Sequence, residues 1–155
     1  MKPPQPKLTF LFQMRATVGT PIEMGKLPNG LVRRIINVTG GTFEGPSMKG
    51  KVLEGGADWQ FITPDNVALI DARYTLETDQ RHVIYVNNQG FRHGRAEVLK
   101  RVAAGEPVDP TEYYFRTTPM LEAAAPELDW VNKSVFVCSA AREQNAVIVD
   151  FYRVD

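Results

Sequence analysis

From Leu8 to Val18 the chain alternates: Leu8, Phe10, Phe12, Met14, Ala16 and Val18 fall on one side of an extended backbone, and Thr9, Gln13, Arg15 and Thr17 on the other. A period of two sustained over this length marks a half-buried strand and argues against a helix. Similar runs recur down the chain. Pro28-Asn-Gly30 turns into Leu31–Val38, which Gly40-Gly41 ends or bends. Strands are expected at Lys51–Glu54 and near Asp58–Ile62, and a hairpin at Asn66–Thr78 and Arg81–Asn88 around Asp79-Gln80. Glu112–Thr117 reads as strand, Pro119–Leu128 as a compact segment with room for one helical turn, and Trp130–Ala141 with Ala146–Val154 as a closing hairpin across Arg142–Asn145. The one helix expected is Arg95–Ala104, where Val98, Leu99 and Val102 take helical spacing, Gly105 follows, and Pro107 and Pro110 prevent extension.

Many strands in sequence, short turns and a single peripheral helix predict an all-β fold with one antiparallel sheet. Closure into a barrel of about eight strands removes the edges that would otherwise invite aggregation, and such a barrel has room for side chains or one small ligand. An open two-sheet sandwich is the alternative. The 155 residues suit a single domain, 1–155, with residues 1–6 as an extended proline-rich arm.

Composition excludes several functions. The 18 basic and 18 acidic residues cancel, leaving no electrostatic footprint for nucleic acid and no basic stripe for an anionic membrane. No apolar run approaches the roughly 20 residues of a membrane span, and the N-terminus lacks the apolar stretch of an export signal, so a soluble cytoplasmic protein is expected. Cys138, the lone cysteine, lies in Val135-Phe-Val-Cys and reads as a small buried hydrophobe. His82 and His93 have no metal-ligand spacing, and no glycine pair precedes a helix as a phosphate loop requires, so neither a metal nor another cofactor is expected.

Both faces of several strands are partly apolar. On Asn66–Thr78, Ala68, Ile70, Ala72, Tyr74 and Leu76 share one side, while Val67 and Leu69 begin the other, which continues as Asp71, Arg73, Thr75 and Glu77. A strand solvated on one side has no need of Val and Leu there, which points to an outer cover and favours a homo-oligomer, a dimer first.

The runs Gly40-Gly-Thr-Phe-Glu-Gly-Pro46, Gly50-Lys-Val-Leu-Glu-Gly-Gly-Ala-Asp-Trp-Gln60 and Asp71-Ala-Arg-Tyr-Thr-Leu-Glu-Thr78 occur in order. They are followed by Tyr113-Tyr-Phe-Arg-Thr-Thr-Pro119, Glu122 and Trp130-Val-Asn132. Together they resemble the bacterial family catalogued as domain of unknown function 3237, over nearly the whole span from Leu8 to Val154. The resemblance implies a small closed β-barrel and carries no established activity. The chain departs from the family pattern at Asp79-Gln80, which usually reads Asp-Gly, and at Glu127-Leu-Asp129, where an aromatic is more usual.

Charged and aromatic side chains on strands mark the candidate site. Asp71 with Arg73 offers an acid-base or anchoring carboxylate beside a guanidinium able to grip an anion in bidentate fashion, against the plainer prospect of a solvated ion pair. Asp58 is a second candidate acid-base, and because neighbours on a strand face opposite ways, only one of Asp58 and Trp59 enters a lumen. Arg116, set among aromatics, needs a partner such as Asp71, Asp150 or Glu122. Trp130 and Asn132 would share a face as an apolar wall beside an amide.

Two functions follow. One is a small-molecule-binding barrel for an anionic or carbonyl-containing ligand held by Arg73, Arg116 and Asn132 against Trp130, with Trp59 and Glu122 nearby. The other is a cofactor-free isomerase, cyclase or lyase in which Asp71 or Asp58 moves a proton and an arginine steadies an oxyanion. A module with merely solvated strand faces is the third and least specific.

Overall fold

The computed structural model describes residues 1–155. The strands are β1 (Leu8–Val18), β2 (Ile22–Lys26), β3 (Val32–Glu44), β4 (Lys49–Val52), β5 (Ala57–Asp58), β6 (Phe61–Ile62), β7 (Ala68–Thr78) and β8 (Val83–Gly94). Helix α1 (Ala96–Ala103) precedes β9 (Tyr113–Ala123), β10 (Val135–Arg142) and β11 (Ala146–Val154). Short 3₁₀ turns occupy Pro110–Glu112 and Pro126–Lys133.

Every pairing is antiparallel, and the order β1-β11-β10-β9-β8-β7 continues through β4, β5 and β6 to β3, which pairs back onto β1. The result is a closed barrel of eight staves, one of them broken into β4, β5 and β6 between β3 and β7. β2 pairs with the first residues of β3 on the edge that β1 takes further along, so it prolongs the β1 stave. The ring is tied beside β1 and β11: Lys7 N–H donates to Asp155 O at 2.9 Å and Asp155 N–H to Lys7 O at 2.8 Å. Strand crossings are tight, because a Cβ on Gly90 would lie 2.2 Å from the Arg116 carbonyl oxygen and one on Gly50 2.0 Å from that of Glu77.

Alternation in β1 breaks at one point. The register against β11 slips between Phe10 and Phe12, so Leu11 and Phe12 are both buried while Leu8 and Phe10 are exposed. The single apolar face expected for Leu8 to Val18 is therefore two faces joined by a bulge, which inserts one residue and re-aims the strand. Inside the bulge the base of the core assembles around Phe12, whose ring stacks on Phe151 at 4.5 Å and tilts against Phe43 at 5.0 Å.

Three other expectations are revised. β9 runs straight through Pro119 to Ala123, because the sheet accommodates Pro119 opposite Asn88 without breaking the pairing. Trp130 lies in the 3₁₀ turn Pro126–Lys133, not in a strand, and β10 starts only at Val135. The third is narrowed: of ending or bending at Gly40-Gly41, β3 does the second, passing through with both glycines at positive φ and the register against β1 shifting beside them, to reach Glu44. The helix is where its pattern places it, with Val98 and Val102 buried.

The two ends of the barrel differ. Leu128 and Val131 of the Pro126–Lys133 turn are buried at one end, with Trp130 packed on Phe136 at 6.2 Å. The other end, where β8 leads into α1 and β10 turns into β11, is open.

Candidate functional site

Strands β3, β5, β7, β8, β9 and β10 each send polar side chains into the open half of the lumen. The apolar stripe Ile84, Val86 of β8 continues as Asn88 and Arg92; Ile36 of β3 is preceded by Arg34; Cys138 and Ala140 of β10 lead to Arg142. A period of two keeps each of these on the face of its hydrophobic predecessors, which is how cations come to lie inside a barrel.

The cavity has two parts that share Ile36, Arg92 and Arg142. An inner chamber of about 70 Å³ is lined by Asp58, Gln60, Tyr74, Asn88, Thr117 and apolar neighbours including Ile70 and Phe115. An outer mouth of about 320 Å³ lies between Arg34, Arg92, Arg142 and the face of α1 that carries Leu99 and Lys100.

Charge at the neck is one-sided. Arg34 pairs with Glu23 at 2.8 Å, whereas Arg92 and Arg142 belong to none of the molecule's ion pairs. Burial, with Arg142 and Arg34 adding their repulsion, lowers Arg92 to about 10, and burial with Arg34 lowers Arg142 as well. Arg92 is still a cation at neutral pH, but one that an incoming anion would relieve. Tyr113 is fixed beside them, its Oη accepting the Arg142 backbone N–H at 2.8 Å.

Deeper in, Asp58 is the chamber's carboxyl. Its Oδ2 accepts from Gln60 Nε2 at 2.5 Å and its Oδ1 from the Asp71 backbone N–H at 3.1 Å. Burial raises its pKa, outweighing the lowering by those two donors and by Arg92. Burial likewise pushes the Tyr74 phenol up. Gln60 Oε1, Tyr74 Oη, Asn88 Oδ1 and Thr117 Oγ1 are buried without a hydrogen-bond partner in the protein. Buried polar atoms are rarely left so, and four around one chamber are the natural partners of a polar ligand or of bound water.

The residues singled out in the sequence divide between inside and outside. Asp58 lines the chamber, while Trp59 points outward and is 43% exposed. Asp71 and Arg73 lie on the outer face of β7 as a half-exposed ion pair at 3.7 Å, because the apolar set Ala68 to Leu76 takes the inner face. Arg116 is exposed on the outside of β9, its guanidinium donating to the Phe115 carbonyl at 2.9 Å and lying 5.5 Å from the Tyr114 ring centroid. Glu122 is exposed on the same side of that strand.

Asn132 and Trp130 lie at the plugged end. The Asn132 amide accepts from Ala123 N–H and donates to Ala123 O, both at 2.9 Å, and Trp130 packs on Phe136 with Arg153 5.7 Å from its ring centroid. The placement of Arg73, Arg116, Asn132 and Trp130 in the lumen is thus corrected: strand parity turns the arginines out, and the 3₁₀ turn carries the other two away from the mouth.

Lumen residues that sequence reasoning passed over are Gln60, Asn88, Arg92, Thr117 and Arg142, together with Arg34. Each extends an apolar stripe with a polar side chain, and that was the available signal. No three His, Cys, Asp or Glu side chains come together as a metal-ligating set.

The model of the family described as "Protein of unknown function (DUF3237)" matches residues 6–154. The chain belongs to the DUF3237 family. A UPF0311 protein of Rhodopseudomonas palustris (strain TIE-1) is 41% identical over 145 residues, 94% of each chain. Among solved structures, one described as a β-barrel like protein from Acinetobacter baumannii AYE superposes with a TM-score of 0.88 at 44% identity, covering 99% of both chains. A conserved protein of unknown function from Rhodopseudomonas palustris gives a TM-score of 0.91 at 38% identity over 99% of this chain and 100% of that one. The DUF3237 barrel also has a distant counterpart, a structure described as an enzyme from Penicillium herquei, with a TM-score of 0.74 at 17% identity over 100% and 98% of the two chains, a likeness of fold alone.

Proposed function

We propose that this DUF3237 barrel binds a short organic anion that carries a second oxygen function. Its carboxylate lies at the neck between Arg92 and Arg142, and its carbonyl or hydroxyl enters the chamber among Gln60, Tyr74, Asn88 and Thr117. The observation that carries this reading is the pair of half-buried guanidiniums without a carboxylate partner, Arg142 holding only the Ala146 carbonyl at 3.0 Å, set against a chamber of unpartnered polar atoms. Uncompensated buried charge is costly, and a bound anion offsets that cost while making charge-assisted hydrogen bonds. The size of the chamber favours a compact group at the inner end, with bulkier parts left in the mouth.

Calorimetric titration and saturation-transfer NMR with levulinate, 2-oxobutanoate and their methyl esters test the reading. Binding of at least one acid but not of its ester, weakened roughly 10- to 100-fold in Arg92→Met or Arg142→Met, is the expected result, since hydrogen bonds to charged groups contribute about 1.5–3 kcal/mol. Equal binding of acid and ester, or no binding of any of them, overturns it.

We also propose that the chain self-associates through its outer sheet face, supported by the exposure of Phe10, Phe91 and Tyr114 on β1, β8 and β9. Sedimentation velocity reads the mass directly, and a monomer at all concentrations sinks this second proposal.

A further inference from the structure

We infer that Asp58 is an acid-base catalyst that moves a proton on the carbon next to a ligand carbonyl held in the chamber. The inference rests on the lumen being the anion site proposed above and names the reaction that site performs.

The geometry is that of a base kept ready. Asp58 lies on the two-residue strand β5, clamped between Ile36 of β3 and Ala72 of β7, and its carboxylate faces the cavity. Gln60 Nε2 and the Asp71 N–H each hold one oxygen, fixing the orientation of the carboxylate while leaving lone pairs free. Asp58 belongs to none of the molecule's ion pairs, and the pull of Arg92 lowers its pKa less than burial raises it. Arg92 and Arg142 hold the ligand's carboxylate at the neck, which puts the next few carbons beside Asp58.

The proton inventory closes without a co-reactant. An Asp58 oxygen takes the proton from the C–H next to the carbonyl; the C–H electron pair forms the C=C bond as the carbonyl π pair moves onto oxygen. Tyr74 Oη, which has no protein acceptor, donates its hydrogen bond to that enolate oxygen. Asp58 then returns the proton to the same carbon, giving exchange, or to another position of the conjugated system, giving an isomer. Burial supports the role by making the carboxylate a stronger base than an exposed aspartate. The charged and titratable groups that act on it are Asp71 and Tyr74 from β7, Arg92 from β8 and Arg142 from β10.

The test uses whichever of levulinate and 2-oxobutanoate binds. In D2O, proton NMR follows loss of the signals next to the ketone, while saturation transfer follows binding in the same tube. Wild type is expected to exchange these protons at least about 100-fold faster than Asp58→Asn, with binding kept in the variant, as general-base catalysis typically contributes 10²–10⁴-fold. The wild-type rate should also rise with pH as one group ionises above the ordinary aspartate value of 3.8, a readout that needs no variant. Binding without exchange above the buffer rate, or equal exchange in Asp58→Asn and Asp58→Ser, overturns the catalytic role and leaves the binding site standing. Absence of binding by either acid removes the site and this role together.

Discussion

The backbone N–H of Asp71 donates to Oδ1 of Asp58 across 3.1 Å, so an acid whose side chain faces solvent holds, through its main chain, the acid that faces the lumen. The two carboxylates belong to different environments, and substitution should separate them.

Asp58→Asn should change the pH dependence of stability. Folding raises the Asp58 pKa above 3.8, so below that value both states are protonated and the residue contributes no difference. As pH climbs through the raised value, the folded wild type bears the cost of an ionised buried group that the unfolded chain does not. Thermal melts of the two proteins should therefore coincide near pH 3 and diverge toward pH 7, with Asp58→Asn the more stable. A wild type that gains on the variant as pH rises contradicts this.

Asp71→Ala removes only a half-exposed pair with Arg73 at 3.7 Å and keeps the backbone donor to Asp58. Chemical denaturation should register a loss of about 0–1 kcal/mol, the usual worth of such pairs, and ligand titrations no change.

Asn132→Ala should cost about 1–2 kcal/mol, because both hydrogen bonds to Ala123 vanish and the plug loses its tie to β9. Ligand affinity at the distant mouth should stay as in wild type, which titration beside the melt would check.

Gly90→Ala places a methyl 2.2 Å from the Arg116 carbonyl oxygen, within a strand pair that has no slack. Overpacking of this kind typically costs about 1–3 kcal/mol, so the melting temperature should fall by several degrees. Unchanged melting would show that β8 and β9 can part at this point.

Much of the barrel was legible because period two is a local signal. The β7–β8 and β10–β11 hairpins could be drawn from alternation and turn residues, and α1 from its spacing and Gly105. The bulge at Leu11 was not legible, since one inserted residue leaves the composition of both faces plausible and only the pairing with β11 reveals it. The site was half legible. Asp58 stood out as a charge on a strand, and the same reasoning drew attention to Asp71 and Arg73, although the apolar stripe opposite them already told which way they face. Arg92 and Arg142 were passed over because they sit beyond the hydrophobic stretches that drew attention, at strand ends where a charge looks like the return to solvent. Only closure of the ring turns those ends toward one another.

The hydrogen bonds between Lys7 and Asp155 carry a consequence for synthesis. β1 is the first stave of the barrel to be made and its neighbour β11 the last, so β1 waits longest for its partner. At about 5–20 residues per second the delay is on the order of ten seconds, during which Leu11 and Phe12 have no permanent shelter. The lumen cannot be complete before β11 pairs with β1, because that pairing closes the ring.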